Sequence, residues 1–190
     1  MKSTLFASTL AAGTGAALLV TAVASAQCPP EFMFTDSEQI LGDGSGGIMA
    51  VGDVDGDGDV DVVVPYRAVT FGDTPPNEIW LNAGNGTFYD SGQRLGGAST
   101  SRSILEDFNG DGHLDIYFMD GGISWPPPPH TIWMNDGTGT FTLGDQIQAF
   151  YSSVATGDVD GDGDVDLVLP GYDQSGKVML NDGSGSFTDS

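Results

Sequence analysis

Three short stretches of this 190-residue chain carry oxygen-bearing side chains at alternate positions. The first holds Asp53, Asp55, Asp57 and Asp61 at positions 1, 3, 5 and 9 of a loop, with Gly58 at position 6. The second repeats the pattern as Asp107, Asn109, Asp111 and Asp115 with Gly112, and the third as Asp158, Asp160, Asp162 and Asp166 with Gly163. This spacing suits Ca²⁺, a hard cation that takes roughly 6–8 oxygens at about 2.3–2.6 Å. Alternate side chains on a tight loop point inward, the glycine permits the turn, and position 7 contributes its backbone carbonyl. Asp59, His113 and Asp164 fall at that position, so each is expected to bind through the main chain, with the His113 side chain exposed. Three loops predict about three ions.

The competing reading is a solvated acidic turn. Five carboxylates between Asp53 and Asp61 repel one another, each close pair by about 1 kcal/mol even in water, and no base lies in the stretch. The ligand positions are kept in all three copies while the residues between them vary, which favours a metal. Helix-flanked calcium loops share this start, but they place a bidentate Glu at position 12 and continue into a helix. Here that position holds Val64, Phe118 and Leu169, each within an apolar run, so the loops belong to β-hairpins. All near ligands come from one loop, which marks the ions as structural.

Catalytic chemistry finds little support, and the chain is expected not to be an enzyme. Two histidines and no nucleophile motif leave no triad to propose. A glycosidase needs two carboxylates across a cleft, and no such pair stands out among the remaining acids. The run Trp125-Pro126-Pro127-Pro128-Pro129-His130 is extended by its prolines. A stiff loop packed on its neighbour is preferred there over a stacking site for a sugar or peptide. Trp80 and Trp133 lie at apolar strand positions and are expected in the core.

The composition narrows the partners. With 27 acids against 5 bases the net charge is −22, which excludes a nucleic-acid binder and a peripheral protein held to anionic lipid by basic residues. The 29 glycines argue against a helical protein, and 39% hydrophobic residues allow a folded core.

The elements that must hold the acidic loops repeat with them. Downstream of each loop lies a second shared block, Ile79 to Phe88, Ile132 to Phe141 and Val178 to Phe187, built on Asn-x-Gly-x-Gly. Each unit reads as four short strands. Ile48 to Val51 enters the loop, Val60 to Pro65 leaves it, Glu78 to Leu81 follows, and a strand starting at Phe88 closes the unit. Four antiparallel strands in about 50 residues is the period of a propeller blade; a flat stack of hairpins is the alternative. The expected fold is all-β: three blades of four antiparallel strands, an incomplete β-propeller. Phe34-Thr35-Asp36-Ser37 and Phe187-Thr188-Asp189-Ser190 are the same tetrapeptide, so the chain starts and stops at one point of the repeat. Residues 34–190 divide into units 34–87, 88–140 and 141–190. A longer parent protein or a truncated product is expected, with self-association through an exposed blade face as the lesser alternative.

The N-terminus reads as a secretory signal over residues 1–26: Lys2, an apolar stretch from Leu5 to Val23, then Ala24-Ser25-Ala26 as the cleavage site. Residues 27–33 form an N-terminal segment. Gln27 before Cys28 argues against lipidation, and one cysteine makes no internal disulfide. No membrane span is expected after residue 26.

The run Gly52-Asp53-Val54-Asp55-Gly56-Asp57-Gly58-Asp59-Val60-Asp61, followed by an apolar strand and by Trp80-Leu81-Asn82-Ala83-Gly84-Asn85-Gly86-Thr87-Phe88, resembles the FG-GAP/VCBS repeats of integrin-α-like β-propellers. The resemblance covers residues 34–190. It implies Ca²⁺ in the hairpin between the first two strands of a blade. It also implies a secreted or cell-surface module for adhesion, or for protein or carbohydrate recognition, whose ligand is not identified. The alternative is the non-catalytic front of a larger secreted enzyme such as a polysaccharide lyase or dehydrogenase.

Overall fold

The computed structural model describes residues 36–42, 46–68, 70, 76–121, 126–148, 153–171 and 175–190. Residues 1–26, where a secretory signal is expected, residues 27–33 with Cys28, Phe34-Thr35 and Trp125 lie outside the described residues. The chain divides into two compact units, Met1–Asp36 and Ser37–Ser190, and the second carries all three acidic loops.

The described residues form twelve strands and no helix. They make three separate four-stranded antiparallel sheets, the blades of an incomplete propeller. The first blade runs β1 (Ala50–Gly52), β2 (Asp61–Val64), β3 (Asn77–Asn82) and β4 (Phe88–Leu95). The second runs β5 (Ser99–Glu106), β6 (Asp115–Gly121), β7 (His130–Asn135) and β8 (Phe141–Ile147). The third runs β9 (Ala155–Gly157), β10 (Asp166–Leu169), β11 (Lys177–Asn181) and β12 (Phe187–Asp189). In each blade the acidic loop joins the first two strands, and the Asn-x-Gly-x-Gly turn joins the last two.

The second strand of each blade is apolar without interruption because both its faces are covered. Successive side chains of a strand point to opposite faces. Val62 and Val64 therefore pack with Tyr66, Trp80 and Leu41, while Val63 packs with Ile79 against Ile116 and Phe118 of the second blade. One blade on, Ile116 and Phe118 look back, and Tyr117 and Met119 look forward to Leu167 and Leu169. Two apolar layers, one between each pair of neighbouring blades, and a third cluster on the other face of the first blade thus form the core. Trp80 and Trp133 are only partly buried, Trp80 against the cluster on the first blade's other face and Trp133 against the layer between the first two blades. Their indole N–H groups donate to Glu78 Oε2 at 3.0 Å and Thr131 Oγ1 at 3.1 Å. An indole needs a polar partner for its N–H, and the strand edge supplies it where the core would not.

Ile48 departs from the hairpin expected of it. Gly47 donates to Pro65 O at 2.7 Å, but Ile48 donates to Ser101 O and accepts from Ser103 N, both at 2.9 Å. Ile48 is thereby bridged in parallel to Arg102. The innermost strand of the first blade is shared with the second, and Gly47 lies where a Cβ would come within 2.6 Å of Ser101 O.

Candidate metal centre

The three acidic loops carry one repeated set of hydrogen bonds. The aspartate at position 1 folds the loop over itself. Asp53 accepts from Gly56 N at 2.8 Å and Gly58 N at 2.9 Å; Asp107 accepts from Asp111 N and Gly112 N, and Asp158 from Gly161 N and Gly163 N. Positions 3 and 5 each accept an amide two residues on: Asp55 from Asp57, Asn109 from Asp111, Asp160 from Asp162, then Asp57 from Asp59, Asp111 from His113, Asp162 from Asp164. Gly58, Gly112 and Gly163 turn the chain at φ +93°, +88° and +100°, a region that L side chains rarely adopt.

Position 9 is the buried member. Asp61, Asp115 and Asp166 are at most 1% exposed. Each spends one carboxylate oxygen on the position-2 amide (Val54, Phe108, Val159) at 2.9–3.0 Å. The other accepts the asparagine amide of the turn block (Asn82, Asn135, Asn181) at 2.8–2.9 Å. A charged acceptor with two amide donors fixes the loop to the third strand.

These folds draw carboxylates together. Oxygens of Asp53, Asp55 and Asp61 all lie within 4.8 Å of one another, as do those of Asp158, Asp160 and Asp166, close enough to share one cation. Asp57 and Asp162 stand outside these groups. In the second loop Asn109 replaces a carboxylate, and its Nδ2 donates to Asp111 Oδ2 at 2.9 Å. Burial pushes the Asp55 carboxyl up, opposed by the Asp57 amide and reinforced by the charges of Asp61, Asp57 and Asp53. Burial likewise raises Asp115, against the amides of Asn135 and Phe108, and it raises Asp164, with the four neighbouring aspartates adding to it. No lysine or arginine lies in any of the three loops to offset this crowding, and an all-oxygen donor set of this kind fits a hard divalent cation.

The position-7 side chains do not turn into the loop. Asp59, His113 and Asp164 lean on the first glycine of the turn block in their own blade. A Cβ there would meet Asp59 Oδ2 at 2.8 Å (Gly84), His113 Nε2 at 2.5 Å (Gly137) or Asp164 Oδ2 at 2.6 Å (Gly183). His113 is exposed, as its position in the loop implied.

Loop spacing did not point to the asparagine of Asn-x-Gly-x-Gly, although its recurrence in every unit was the signal. Asn82, Asn135 and Asn181 accept both glycine amides of their turns at 3.1–3.2 Å. The Nδ2 groups of the last two reach across blades. Asn135 donates to Val54 O at 2.7 Å and Asn181 to Phe108 O at 2.8 Å, each in the acidic loop of the preceding blade. A second cross-blade grip comes from the fourth strand, where Gln93 donates to Gly139 O and accepts from Phe141 N. Asp145 accepts from Phe187 N at 2.9 Å one blade on. Gln39 does the same as Gln93, for Gly86 and Phe88. The segment around it therefore stands where a fourth strand would, with Glu38 at φ +58° matching Gly92 at +80°.

Hairpin-borne acidic loops, repeated blade after blade and tied to the next blade's turn, define a blade-repeat protein in architecture. A family model described as FG-GAP-like repeat matches residues 68–118 and 107–169. The chain belongs to the FG-GAP-like repeat family. Each match ends on the apolar strand that leaves an acidic loop, at Phe118 and Leu169. Comparison with curated proteins finds no match to the chain.

Proposed function

We propose that this chain is a secreted, calcium-binding recognition module that serves extracellular adhesion or protein or carbohydrate binding, and that it is not a catalyst. The observation that carries the reading is the convergence of Asp53, Asp55 and Asp61, and of Asp158, Asp160 and Asp166, on loops with no counter-charge. Ca²⁺ in these loops neutralises carboxylates that burial and mutual repulsion disfavour. Because the same aspartates tie each loop to the third strand, metal binding and folding are coupled. The signal-like residues 1–26 support export, to a compartment where calcium is abundant enough for weak sites to fill. Among the described residues no helix is long and apolar enough to cross a membrane.

Calorimetric melting in chelator and in excess calcium tests this. A ligand that binds only the folded chain adds about 2.7 kcal/mol per site at a hundredfold excess over Kd, so the expected outcome is a saturable rise in Tm with calcium. Superimposable melts overturn the reading.

A further inference from the structure

The chain has only five basic residues, Lys2, Arg67, Arg94, Arg102 and Lys177, against 27 acids. Arg94 pairs with Asp90 and Glu78, and Lys177 with Asp189. The Arg102 guanidinium makes no hydrogen bond or ion pair among the described residues. In a protein so rich in carboxylates, a guanidinium left without one is kept from them by its position. That position is a half-open cavity of about 530 Å³ where β5 and β6 meet residues 46–48, Arg67 beyond β2 and Ser153 ahead of β9. Among the described residues it is lined by Ile48, Arg67, Ser101, Arg102, Met119 and Ser153, together with Gly46 and Gly47, with no carboxylate among these. Two of the chain's five bases thus face one space.

We propose that this cavity binds the carboxylate of a small monoanionic organic acid of sugar-acid size, with Arg102 as the principal contact. The assignment rests on the reading of the chain as a recognition module and gives that module a ligand class. Guanidinium forks match planar carboxylates with two parallel hydrogen bonds. The Ser153 hydroxyl, which makes no hydrogen bond among the described residues, supplies a further donor. Ser101 donates its hydroxyl to Met119 O at 3.1 Å, so its oxygen is left as an acceptor for a ligand hydroxyl. Ile48 and Met119 give an apolar wall for a carbon skeleton, and the volume is in the range of small-molecule sites. The net charge selects the ligand's valence. Each negative charge a ligand brings is opposed by the field of a −22 chain, so a single charge set against Arg102 is favoured over the two charges of phosphate or sulfate. The cavity floor is held by paired backbone, since the parallel bridge of Ile48 to Arg102 ties the two blades at this point.

The test is titration calorimetry of the calcium-loaded chain with glucuronate, glucose, sulfate and phosphate. Glucuronate is expected to bind, glucose not, and the two inorganic anions more weakly than glucuronate. Arg102→Gln should weaken glucuronate by about 10- to 100-fold, the loss of a charge-assisted hydrogen bond, while Arg102→Lys retains part of it. Circular dichroism and melting of each variant confirm that it is folded; if Arg102→Gln is not, Arg67→Gln carries the same expectation of weakened binding. Equal binding of glucose, unchanged binding in the variants, tighter binding of sulfate or phosphate, or no binding of glucuronate each overturns the assignment. A chain that binds glucuronate but melts identically in chelator and calcium overturns the calcium reading alone. A calcium-responsive chain that ignores glucuronate overturns this one alone.

Discussion

Asp61, Asp115 and Asp166 have a structural task that is independent of any ion. Each is a buried acceptor for two main-chain amides from different parts of its blade. Asp115→Ala strands the amides of Phe108 and Asn135 in a buried setting, and each unsatisfied donor costs about 1–3 kcal/mol. Urea denaturation in chelator should show a loss of about 2 kcal/mol or more, and a further calcium-dependent loss should appear when the ion is restored. A variant that matches the parent in chelator would confine Asp115 to metal binding. Gly183 sits at φ +78°, and a Cβ there would lie 2.6 Å from Asp164 Oδ2. Gly183→Ala combines left-handed strain with a clash and should cost about 1–2 kcal/mol in the same assay. Spacing alone pointed to Asp53, Asp55 and Asp61 and to Asp158, Asp160 and Asp166, whose carboxylates the fold brings together, because a hard cation demands oxygens on alternate residues. The brace at position 9 was not legible, since its partners Asn82, Asn135 and Asn181 lie about 15 to 21 residues away in sequence and only the fold brings them near.

At the level of strands, β6 and β7 of the second blade hold a polar network inside an apolar layer. Asp120 is 3% exposed and accepts from Thr100 Oγ1 and, at 2.8 Å, from Thr131 Oγ1. Burial pushes its carboxyl up to about 6, while both threonine hydroxyls hold it down. His130, 1% exposed and hydrogen-bonded through Nδ1 to the Tyr117 hydroxyl, is held down to about 4 by burial. The two act in opposite senses. A carboxyl raised in the folded state contributes stability below its unfolded value near 3.9, and this is lost as pH rises toward 6. An imidazole lowered in the folded state contributes stability above about 6.5, and this is lost as pH falls toward 4. Between pH 4 and 6 the slopes offset each other. Asp120→Asn removes one of them, so its Tm should fall on acidification from pH 6.5 to 4 more steeply than the parent's. Equal slopes in a melting series at graded pH would contradict this.

The strands themselves were legible within a residue or two, because an apolar β-branched run bounded by glycine turns admits little else. Glu78 to Leu81 is extended only to Asn77–Asn82, and Val60 to Pro65 is trimmed to Asp61–Val64. The inner strand shifted from Ile48–Val51 to Ala50–Gly52, because Ile48 takes its partners, Ser101 and Ser103, from the next blade. Pairing with another blade leaves no trace in local periodicity.

Across the whole molecule the same position meets two environments. Val54 and Phe108, at position 2 of the first two loops, are each 1% exposed, covered by the following blade, whereas Val159 in the third is 50% exposed. Truncation should follow this gradient. Phe108→Ala is expected to cost about 3–5 kcal/mol, with the loss of its edge-to-face contact with Phe187 at 5.7 Å. Val159→Ala is expected to change stability by less than about 0.5 kcal/mol. Guanidinium denaturation of the two variants checks the pair of values, and equal losses would show that the third loop is covered in solution. Three repeats of one blade could be read from the chain, because each copy keeps its turns and its apolar faces. The order in which blades grip one another could not, since it resides in Asn135, Asn181 and Gln93 reaching across a boundary that no single repeat contains.

Among the described residues those cross-blade bonds join only neighbouring blades, so the molecule is wired in series. Pulled from its two ends, a series chain has no shared load: the weakest junction parts first and the others remain intact. Each blade that lets go frees about 50 residues, or roughly 170 Å of slack, before the next junction feels the force. A protein built this way lengthens in steps under tension, and an ion held in each loop would set the height of each step.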